Sequence, residues 1–171
     1  MGLIHIYCGD GKGKTTASVG LAVRAVGSGK KVLFSQFFKN GESSEVKAIK
    51  TFENLTYCKS DKAFPRFANM TDEDKLYAYE YYDKLVNDII EKAKNYDMIV
   101  FDEIISCYNL GFLNRETVVN FCKNNDYDIE IVLTGRNPAP ELVEIADYVS
   151  QIEKIKHPYD QGITARKGIE Y

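Results

Sequence analysis

The chain has few histidines and cysteines, the residues that zinc sites and disulfides need. Its 171 residues include only two histidines, His5 and His157, and four cysteines that lie far apart without a C-x-x-C pair. Zinc clusters and disulfide frameworks depend on closely spaced cysteines or histidines. We therefore expect reduced, mostly buried thiols, and neither a zinc cluster nor a disulfide framework.

Excess positive charge and long apolar runs are also missing. Lys and Arg number 22 against 25 Asp and Glu, which gives a net charge of -3. This balance does not favour non-specific binding to nucleic acid or to an anionic membrane surface. No run approaches the roughly 20 apolar residues of a membrane helix, and the start "MGLIHIYC" is unlike a signal peptide. These features predict a cytoplasmic protein with no membrane or nucleic-acid partner.

Short apolar segments alternate with segments of helical periodicity along the whole chain. Alternating strands and helices predict a single α/β domain over residues 1–171, with a mostly parallel sheet covered by helices on both faces. The last strand alternates polar and apolar residues, which suits a sheet edge. Strands are predicted within residues 3–8, 30–38, 55–58, 97–103, 128–135 and 148–155.

Helix signals are clearest between residues 71 and 93. Thr71 and Asp74 resemble a capping box, and Pro140 suits the first turn of a helix over residues 141–146. Helices are also expected after Thr15 and over residues 116–123, whereas residues 40–45, "NGESSE", are expected to form a polar turn. The apolar face of the long helix is predicted to consist of Leu76, Tyr79, Tyr82, Val86, Ile89, Ile90 and Ala93.

The segment "CGDGKGKTTAS", residues 8–18, has the context of a phosphate-binding loop between a strand and a helix. Glycines let backbone N–H groups approach phosphate oxygens, Lys14 supplies a positive charge, and the Thr15 hydroxyl can bind Mg²⁺. Cys8 stands where the pattern G-x-x-x-x-G-K-[ST] has its first glycine. We expect Gly9 and Gly11 to move the flexible points of the loop inward. The alternative is a glycine-rich turn without a ligand.

A second candidate site element is the strand "MIVFDE", which ends in Asp102 and Glu103. An acid at the end of such a strand binds Mg²⁺, directly or through water, in P-loop proteins. Either carboxylate could serve, and Glu103 could instead polarise a nearby group. The structural alternative is that these acids cap the following helix.

Four segments together resemble the ATP:corrinoid adenosyltransferases of the cobalamin-assimilation type. They are "GDGKGKTTAS" with the following "GLAVRAVGSGKKV", then "IVFDEI", "IVLTGRNPAPELVEIAD" and the terminal "KHPYDQGITARKGIEY". The similarity is collinear from residue 3 to residue 171. The P-loop and the acid strand are shared with many ATPases, whereas "LTGR" and the terminal pattern are far more specific.

The resemblance implies a RecA-like α/β fold, usually dimeric, that uses ATP, Mg²⁺ and a corrinoid reduced to Co(I), with a flavoprotein as reductant. In that family Co(I) attacks the 5′ carbon of ATP and the triphosphate leaves intact. The loop would then bind a leaving group rather than a phosphoryl donor. The residues implied to contact the triphosphate are Gly9, Asp10, Gly11, Lys12, Gly13, Lys14, Thr15 and Thr16.

Further site residues follow from the same resemblance, each with a structural alternative. Arg24 and Arg136 would add positive charge, or else be a solvated helix residue and a salt-bridge partner. His157 and Asp160 would shape the nucleotide pocket, or else belong to a turn held by Pro158 and Gly162.

Two aromatic residues, Phe64 and Phe67, lie in the loop of residues 59–70. They would pack below the corrin and exclude its lower axial ligand, or else pack the loop onto the core. They are three residues apart, farther than the pair typical of the family. The chain also begins almost at its first strand, so this loop or a partner subunit is expected to close over the corrin.

Two other classes of function compete with this interpretation. A P-loop kinase or ATPase would transfer the γ-phosphoryl group and would need a base, for which Glu103 is the candidate. A non-enzymatic protein would instead be an ATP-dependent binding switch or a corrinoid carrier.

Overall fold

The computed structural model describes residues 2–39, 43–58, 62, 64–65 and 67–171. Within these residues six strands are present: β1 (Ile4–Cys8), β2 (Val32–Gln36), β3 (Leu55–Cys58), β4 (Met98–Asp102), β5 (Glu130–Thr134) and β6 (Tyr148–Gln151). The helices are α1 (Lys14–Gly27), α2 (Ser44–Ile49), α3 (Asp72–Lys92), α4 (Ile104–Leu110), α5 (Arg115–Asn124) and α6 (Pro140–Ile145). Short 3₁₀ turns occupy Phe67–Asn69, Ala93–Asn95 and Pro158–Gln161.

The six strands form one sheet in the order β3-β2-β4-β5-β1-β6. Every neighbouring pair is parallel. The parallel α/β sheet expected from the sequence is therefore confirmed, and β6 lies at an edge as its alternating pattern predicted. In a parallel sheet the carboxyl ends of all strands meet at one edge, which is where ligands bind in this class of fold.

Apolar side chains cover both faces of the sheet. Helices α1 and α2 pack on one face, where Ala22, Ala25 and Ile49 bury against β2, β4 and β5. Helices α3 to α6 supply the larger cluster on the other face. The central strands β2 and β4 are buried at every position, which explains their continuous apolar character in the sequence.

The long helix α3 begins as predicted but is rotated relative to its expected apolar face. Thr71 and Asp74 form the reciprocal capping box. The prediction for Leu76 and Tyr79 was wrong, since these side chains are 60% and 37% exposed. At about 100° per residue Leu76 lies roughly 120° around the helix from the buried Tyr82. The buried face consists of Ala78, Tyr82, Leu85, Val86 and Ile89.

The prediction of a polar turn through residue 45 was also wrong in its second half. Residues 40–42 lie outside the described residues, Ser43 is the N-cap, and α2 begins at Ser44. Placing Glu45 on a helix brings its carboxylate to the end of β2, as described below. Among the helices that the structure describes, none is both long and apolar enough to span a bilayer.

Candidate nucleotide and metal site

The phosphate-binding loop connects the end of β1 to the start of α1. Gly13 precedes α1 with φ 128°, and no side chain or acidic residue caps the first turn. The Lys14 ammonium donates to the carbonyl oxygens of Gly9 (2.7 Å) and Gly11 (2.9 Å). The uncapped N–H groups and the adjacent ammonium suit an anionic ligand such as a triphosphate.

Cys8 behaves as a strand residue rather than as the first residue of the loop. It is buried, it pairs with Gln151 of β6, and its carbonyl oxygen accepts from the Ile152 N–H at 2.8 Å. The positive backbone angle occurs one residue later, at Gly9 with φ 107°. A Cβ on Gly9 would lie 2.4 Å from the Ile152 carbonyl oxygen. The first flexible point of the loop has therefore moved inward, as expected from the sequence.

The Lys14 ammonium is surrounded by charges of both signs. Burial lowers its pKa from the usual value, and the nearby Arg136 guanidinium lowers it further. The carboxylates of Glu103, Asp10 and Asp102 oppose this effect. A triphosphate in the loop would add negative charge beside both Lys14 and Arg136.

Asp102, at the end of β4, is the centre of a buried polar cluster. Its side chain is fully buried. Its Oδ1 accepts from the hydroxyls of Thr134 (2.7 Å) and Thr15 (2.9 Å). Its Oδ2 accepts from Gln36 Nε2 (3.1 Å) and from the Lys39 ammonium (2.9 Å). Hydrogen bonds and the Lys39 charge thus compensate the burial of this carboxylate.

A second layer of polar groups orients Gln36. Its amide nitrogen also donates to Glu45 Oε1 at 2.9 Å, and its oxygen accepts from the Tyr57 hydroxyl at 3.0 Å. Burial, followed by the charges of Glu45 and Asp102, raises the pKa of Tyr57 to about 12. Tyr57 therefore remains a hydrogen-bond donor across the physiological pH range, which fixes the Gln36 amide with its nitrogen toward Asp102.

Thr15 and Asp102 fit a Mg²⁺ ion. A buried carboxylate next to a threonine hydroxyl is a suitable pair of hard oxygen ligands, and Mg²⁺ commonly takes its other ligands from phosphates and water. Among the described residues, no group of three or more His, Cys, Asp or Glu side chains could hold a metal ion by itself. The donor set therefore suits a metal that arrives with a triphosphate.

Glu103 contacts the Asp102 cluster through its backbone and not through its carboxylate. Glu103 adopts a left-handed backbone conformation with φ 66° at the start of α4. Its N–H donates to the Thr134 hydroxyl at 2.9 Å, and its carboxylate accepts from the Ser106 hydroxyl. In this geometry the Glu103 carboxylate faces Ser106. Its assignment as a metal ligand stays a prediction.

Four predicted nucleotide-pocket residues meet in one cavity of about 540 Å³ beside the loop. Arg136 Nη1 lies 3.3 Å from Asp10 Oδ1, although both side chains are more than half exposed. The Lys154 ammonium lies 3.0 Å from Asp160, and His157 Nδ1 accepts from the Tyr159 N–H. The lining residues are Asp10, Arg136, Lys154, His157, Tyr159 and Asp160.

A second cavity, of about 520 Å³, also borders the loop. Its lining includes Lys12, Thr15 and Thr16 of the loop and residues 168–171. The Ser44 hydroxyl donates to the Tyr171 carbonyl oxygen at 2.8 Å, which attaches this terminal segment to α2. Residues of the phosphate-binding segment thus border both cavities, and Lys39 borders the second one.

Arg24 lies away from the loop. It is exposed in the last turn of α1, ten residues beyond Lys14 and so roughly 15 Å along the helix axis. Within one chain it contributes no charge to the Asp102 cluster, and its assignment to the site remains a prediction.

The aromatic candidates also lie outside the Asp102 cluster. The Phe64 ring packs 5.2 Å from the Tyr82 ring, measured between centroids, and borders a third cavity of about 380 Å³ together with Lys39. Phe67 is 46% exposed, and its ring lies 5.8 Å from Phe112. Residues 59–61, 63 and 66 of the predicted corrin-covering loop lie outside the described residues.

Sequence reasoning missed several residues of the cluster: Gln36, Lys39, Glu45, Tyr57 and Thr134. Gln36 and Thr134 carried a usable signal, because each is a polar residue at the end of an otherwise apolar strand. Gln36 pairs directly with Asp102 across the sheet. Lys39 and Glu45 carried no comparable signal, since they reach the cluster from a loop and from the unpredicted helix α2.

Strand, glycine-rich loop and helix, together with the acid at the end of β4, define a P-loop nucleotide-binding protein. Solved structures agree with this fold. The RadB recombinase superposes with a TM-score of 0.53 at 11% identity, over 91% of this chain and 76% of that one. The ATPase 2 and 3 region of EssC from Geobacillus thermodenitrificans superposes with a TM-score of 0.51 at 13% identity, over 99% of this chain and 36% of that one.

Sequence comparison gives a narrower assignment. The model of the family "ATP:corrinoid adenosyltransferase BtuR/CobO/CobP" matches residues 1–171, and the chain belongs to this family. The corrinoid adenosyltransferase of Escherichia coli K12 is 29% identical over 99% of this chain and 86% of its own length. The Salmonella typhimurium enzyme is 30% identical with the same coverage, and one from Sinorhizobium is 31% identical over 99% of this chain and 80% of its own length.

Proposed function

We propose that this chain transfers the 5′-deoxyadenosyl group of ATP to the Co(I) of a reduced corrinoid and releases inorganic triphosphate. The observation that supports it most strongly is the family match over the entire chain. The uncapped start of α1, with Lys14 beside it, suits the triphosphate of ATP. The expectation from the sequence and the family assignment therefore agree.

In this reaction a Co–C bond forms as the C5′–O bond of ATP breaks, and the electron pair of that bond leaves with the triphosphate. Co(I) is itself a strong nucleophile, so the protein needs neither a covalent residue nor a general base. It must place the 5′ carbon in line with cobalt and stabilise the charge that develops on the leaving oxygen. Lys14 and the loop N–H groups perform the second task in our proposal.

The kinase or ATPase alternative gains no support from the structure. It needs a base beside the γ-phosphate. The candidate is Glu103, whose carboxylate accepts a hydrogen bond from the Ser106 hydroxyl. Nothing in the described residues specifically favours a binding switch or a corrinoid carrier.

Thr15 and Asp102 would hold Mg²⁺, for the reasons given by their geometry. When bound, the metal ion would neutralise part of the triphosphate charge. Asp102 would keep its carboxylate oriented through the Thr134 and Gln36 hydrogen bonds, so that the Thr15 hydroxyl and one carboxylate oxygen face the same point.

The corrin is proposed to bind near Phe64 and Phe67, on the side of the third cavity. Phe64 borders that cavity, and the exposed Phe67 ring leaves apolar surface for a flat ligand. Exclusion of the lower axial ligand by these rings stays part of the proposal. A flavoprotein is the proposed reductant, on the family resemblance alone.

Homodimerisation and a cytoplasmic location complete the proposal. The edge strand β6 exposes Tyr148 and Val149, which gives a partner subunit an apolar surface. All four cysteines are unpaired, and three of them are buried, as is common in a reducing compartment.

The decisive test is an anaerobic reaction of the protein with ATP, Mg²⁺ and chemically reduced cob(I)alamin, in which both products are resolved. We expect an adenosylated corrinoid and intact inorganic triphosphate in equal amounts. ADP and orthophosphate without a cobalt–carbon product would refute the proposal in favour of phosphoryl transfer.

The role of Lys14 can be tested in the same assay. Lys14→Ala should lower kcat by about 100-fold or more, because it removes a charge that stabilises the leaving triphosphate. Lys30→Ala is the matched control, since Lys30 is an exposed lysine beyond the far end of α1. Equal kcat values for Lys14→Ala and Lys30→Ala would remove Lys14 from the mechanism.

A further inference from the structure

The ammonium of Lys39 lies against the two groups that best fit a metal ion. Its Nζ is 2.9 Å from Asp102 Oδ2 and 3.2 Å from Thr15 Oγ1. A cation bound to both of those oxygens would occupy nearly the same space. Lys39 follows β2 in the chain and was not recognised from the sequence.

Charge balance explains why an ammonium is found there. The Asp102 carboxylate is fully buried, and a buried carboxylate without a counter-ion is strongly unfavourable. Lys39 supplies that counter-ion. A divalent ion placed on Thr15 and Asp102 would repel an ammonium at this distance, so the two cations exclude each other.

The Lys39 ammonium has other polar surroundings available once a metal displaces it from Asp102. Its side chain is 26% exposed, and Glu45 Oε1 lies 3.6 Å from its ammonium. It also lines the 520 Å³ cavity together with Lys12, Thr15 and Thr16 of the phosphate-binding loop. A small rotation of its flexible stem would turn the ammonium from Asp102 toward that cavity.

We propose that Lys39 is a resident counter-ion that a divalent metal must displace, and that it thereby couples metal binding to triphosphate binding. Without a triphosphate, Lys39 competes for Asp102 and keeps metal affinity low. With a triphosphate, the displaced ammonium gains phosphate oxygens as partners. The identity of the anion as a triphosphate rests on the proposed function, whereas the exclusion between Lys39 and the metal does not.

The test measures binding of Mn²⁺, a spectroscopic substitute for Mg²⁺, to the full chain without nucleotide or corrinoid. The concentration of free Mn²⁺ is measured by electron paramagnetic resonance. Lys39→Met keeps the length of the side chain and removes its charge, so it should bind Mn²⁺ about tenfold tighter than the wild type or better. Lys47→Met, on the exposed side of α2, is the control and should match the wild type. Equal or weaker binding by Lys39→Met would overturn the proposal.

A titration with tripolyphosphate present tests the coupling. The anion should increase the Mn²⁺ affinity of the wild type by a larger factor than that of Lys39→Met, and equal factors would refute the coupling. Because this titration uses no corrinoid, its result does not depend on whether the protein catalyses adenosyl transfer.

A measurement on the wild type covers the case in which Lys39→Met does not fold. The ¹⁵Nζ resonance of Lys39, assigned by its loss in Lys39→Arg, should shift when Mg²⁺ and tripolyphosphate saturate the protein. A resonance that stays in place under saturation would show that the ammonium is not displaced.

Discussion

Replacement of Thr134 by valine tests whether the Asp102 cluster stabilises the fold as well as the site. The buried Thr134 hydroxyl donates to Asp102 Oδ1 at 2.7 Å and accepts from the Glu103 N–H at 2.9 Å. It therefore connects the end of β5 to the end of β4 through one oxygen atom. Valine has nearly the same shape, so packing changes little while both hydrogen bonds are lost.

The expected cost follows from those two bonds. A hydrogen bond to an ionised carboxylate contributes about 1.5–3 kcal/mol, and a partly buried N–H left without a partner costs about 1–3 kcal/mol. Because the Glu103 N–H is only partly buried, we expect the free energy of unfolding to fall by about 3 kcal/mol. For a domain of this size the melting temperature should then fall by roughly 6–12 °C.

Urea unfolding followed by circular dichroism measures the change directly, and Thr134→Ser is the matched control. Serine keeps the hydroxyl and loses only a methyl group, so it should cost about 1 kcal/mol from lost burial. The reasoning fails if valine and serine destabilise the protein equally, because the hydroxyl would then contribute nothing to stability.

Two further predictions concern the loop and the long helix. Gly9→Ala should destabilise the protein by about 1–3 kcal/mol, because alanine is strained at the positive φ of this residue. The new Cβ would also meet the Ile152 carbonyl oxygen and distort the loop, so ATP binding measured by calorimetry should weaken. An unchanged ATP affinity would contradict this. The Thr71 N–H and hydroxyl lower the pKa of Asp74, so its contribution to stability is present above the unfolded pKa of about 3.9 and is lost as pH falls through the lower folded pKa. Urea titrations should therefore show wild type more stable than Asp74→Asn at pH 7, with a difference that shrinks below pH 4.

The sheet and the phosphate-binding loop were predictable because their signals are local. A buried parallel strand reads as a continuous apolar run, and the loop needs glycines immediately before Lys14 and Thr15. The same locality predicted the capping box of α3. Its exposed first turns were not predictable, because the sequence shows apolar residues but not the angle at which the helix meets the sheet.

Of the Asp102 cluster, only Thr15 and Asp102 were predicted from the sequence, and the reason is different. The members that the sequence did not reveal come from β2, the loop after it, α2, β3 and β5. The register between β2 and β4 decides that Gln36 lies beside Asp102. Strand order and register are long-range properties that one sequence does not reveal. Lys39 and Glu45 were hidden further, since the start of α2 looked like a polar turn.

The unusual residue at the first glycine position follows from how β1 and β6 pair. Because the Cys8 carbonyl oxygen accepts from the Ile152 N–H, residue 8 must continue the strand, and a bend there would break this bond. Gly9 and Gly11 then pass close to the Ile152 carbonyl, and the Gly11 N–H donates to it at 2.8 Å. The segment after Ile152 leads within a few residues to His157 in the adjacent cavity. Cys8 therefore belongs to a backbone connection between the phosphate-binding loop and the terminal segment that contains His157.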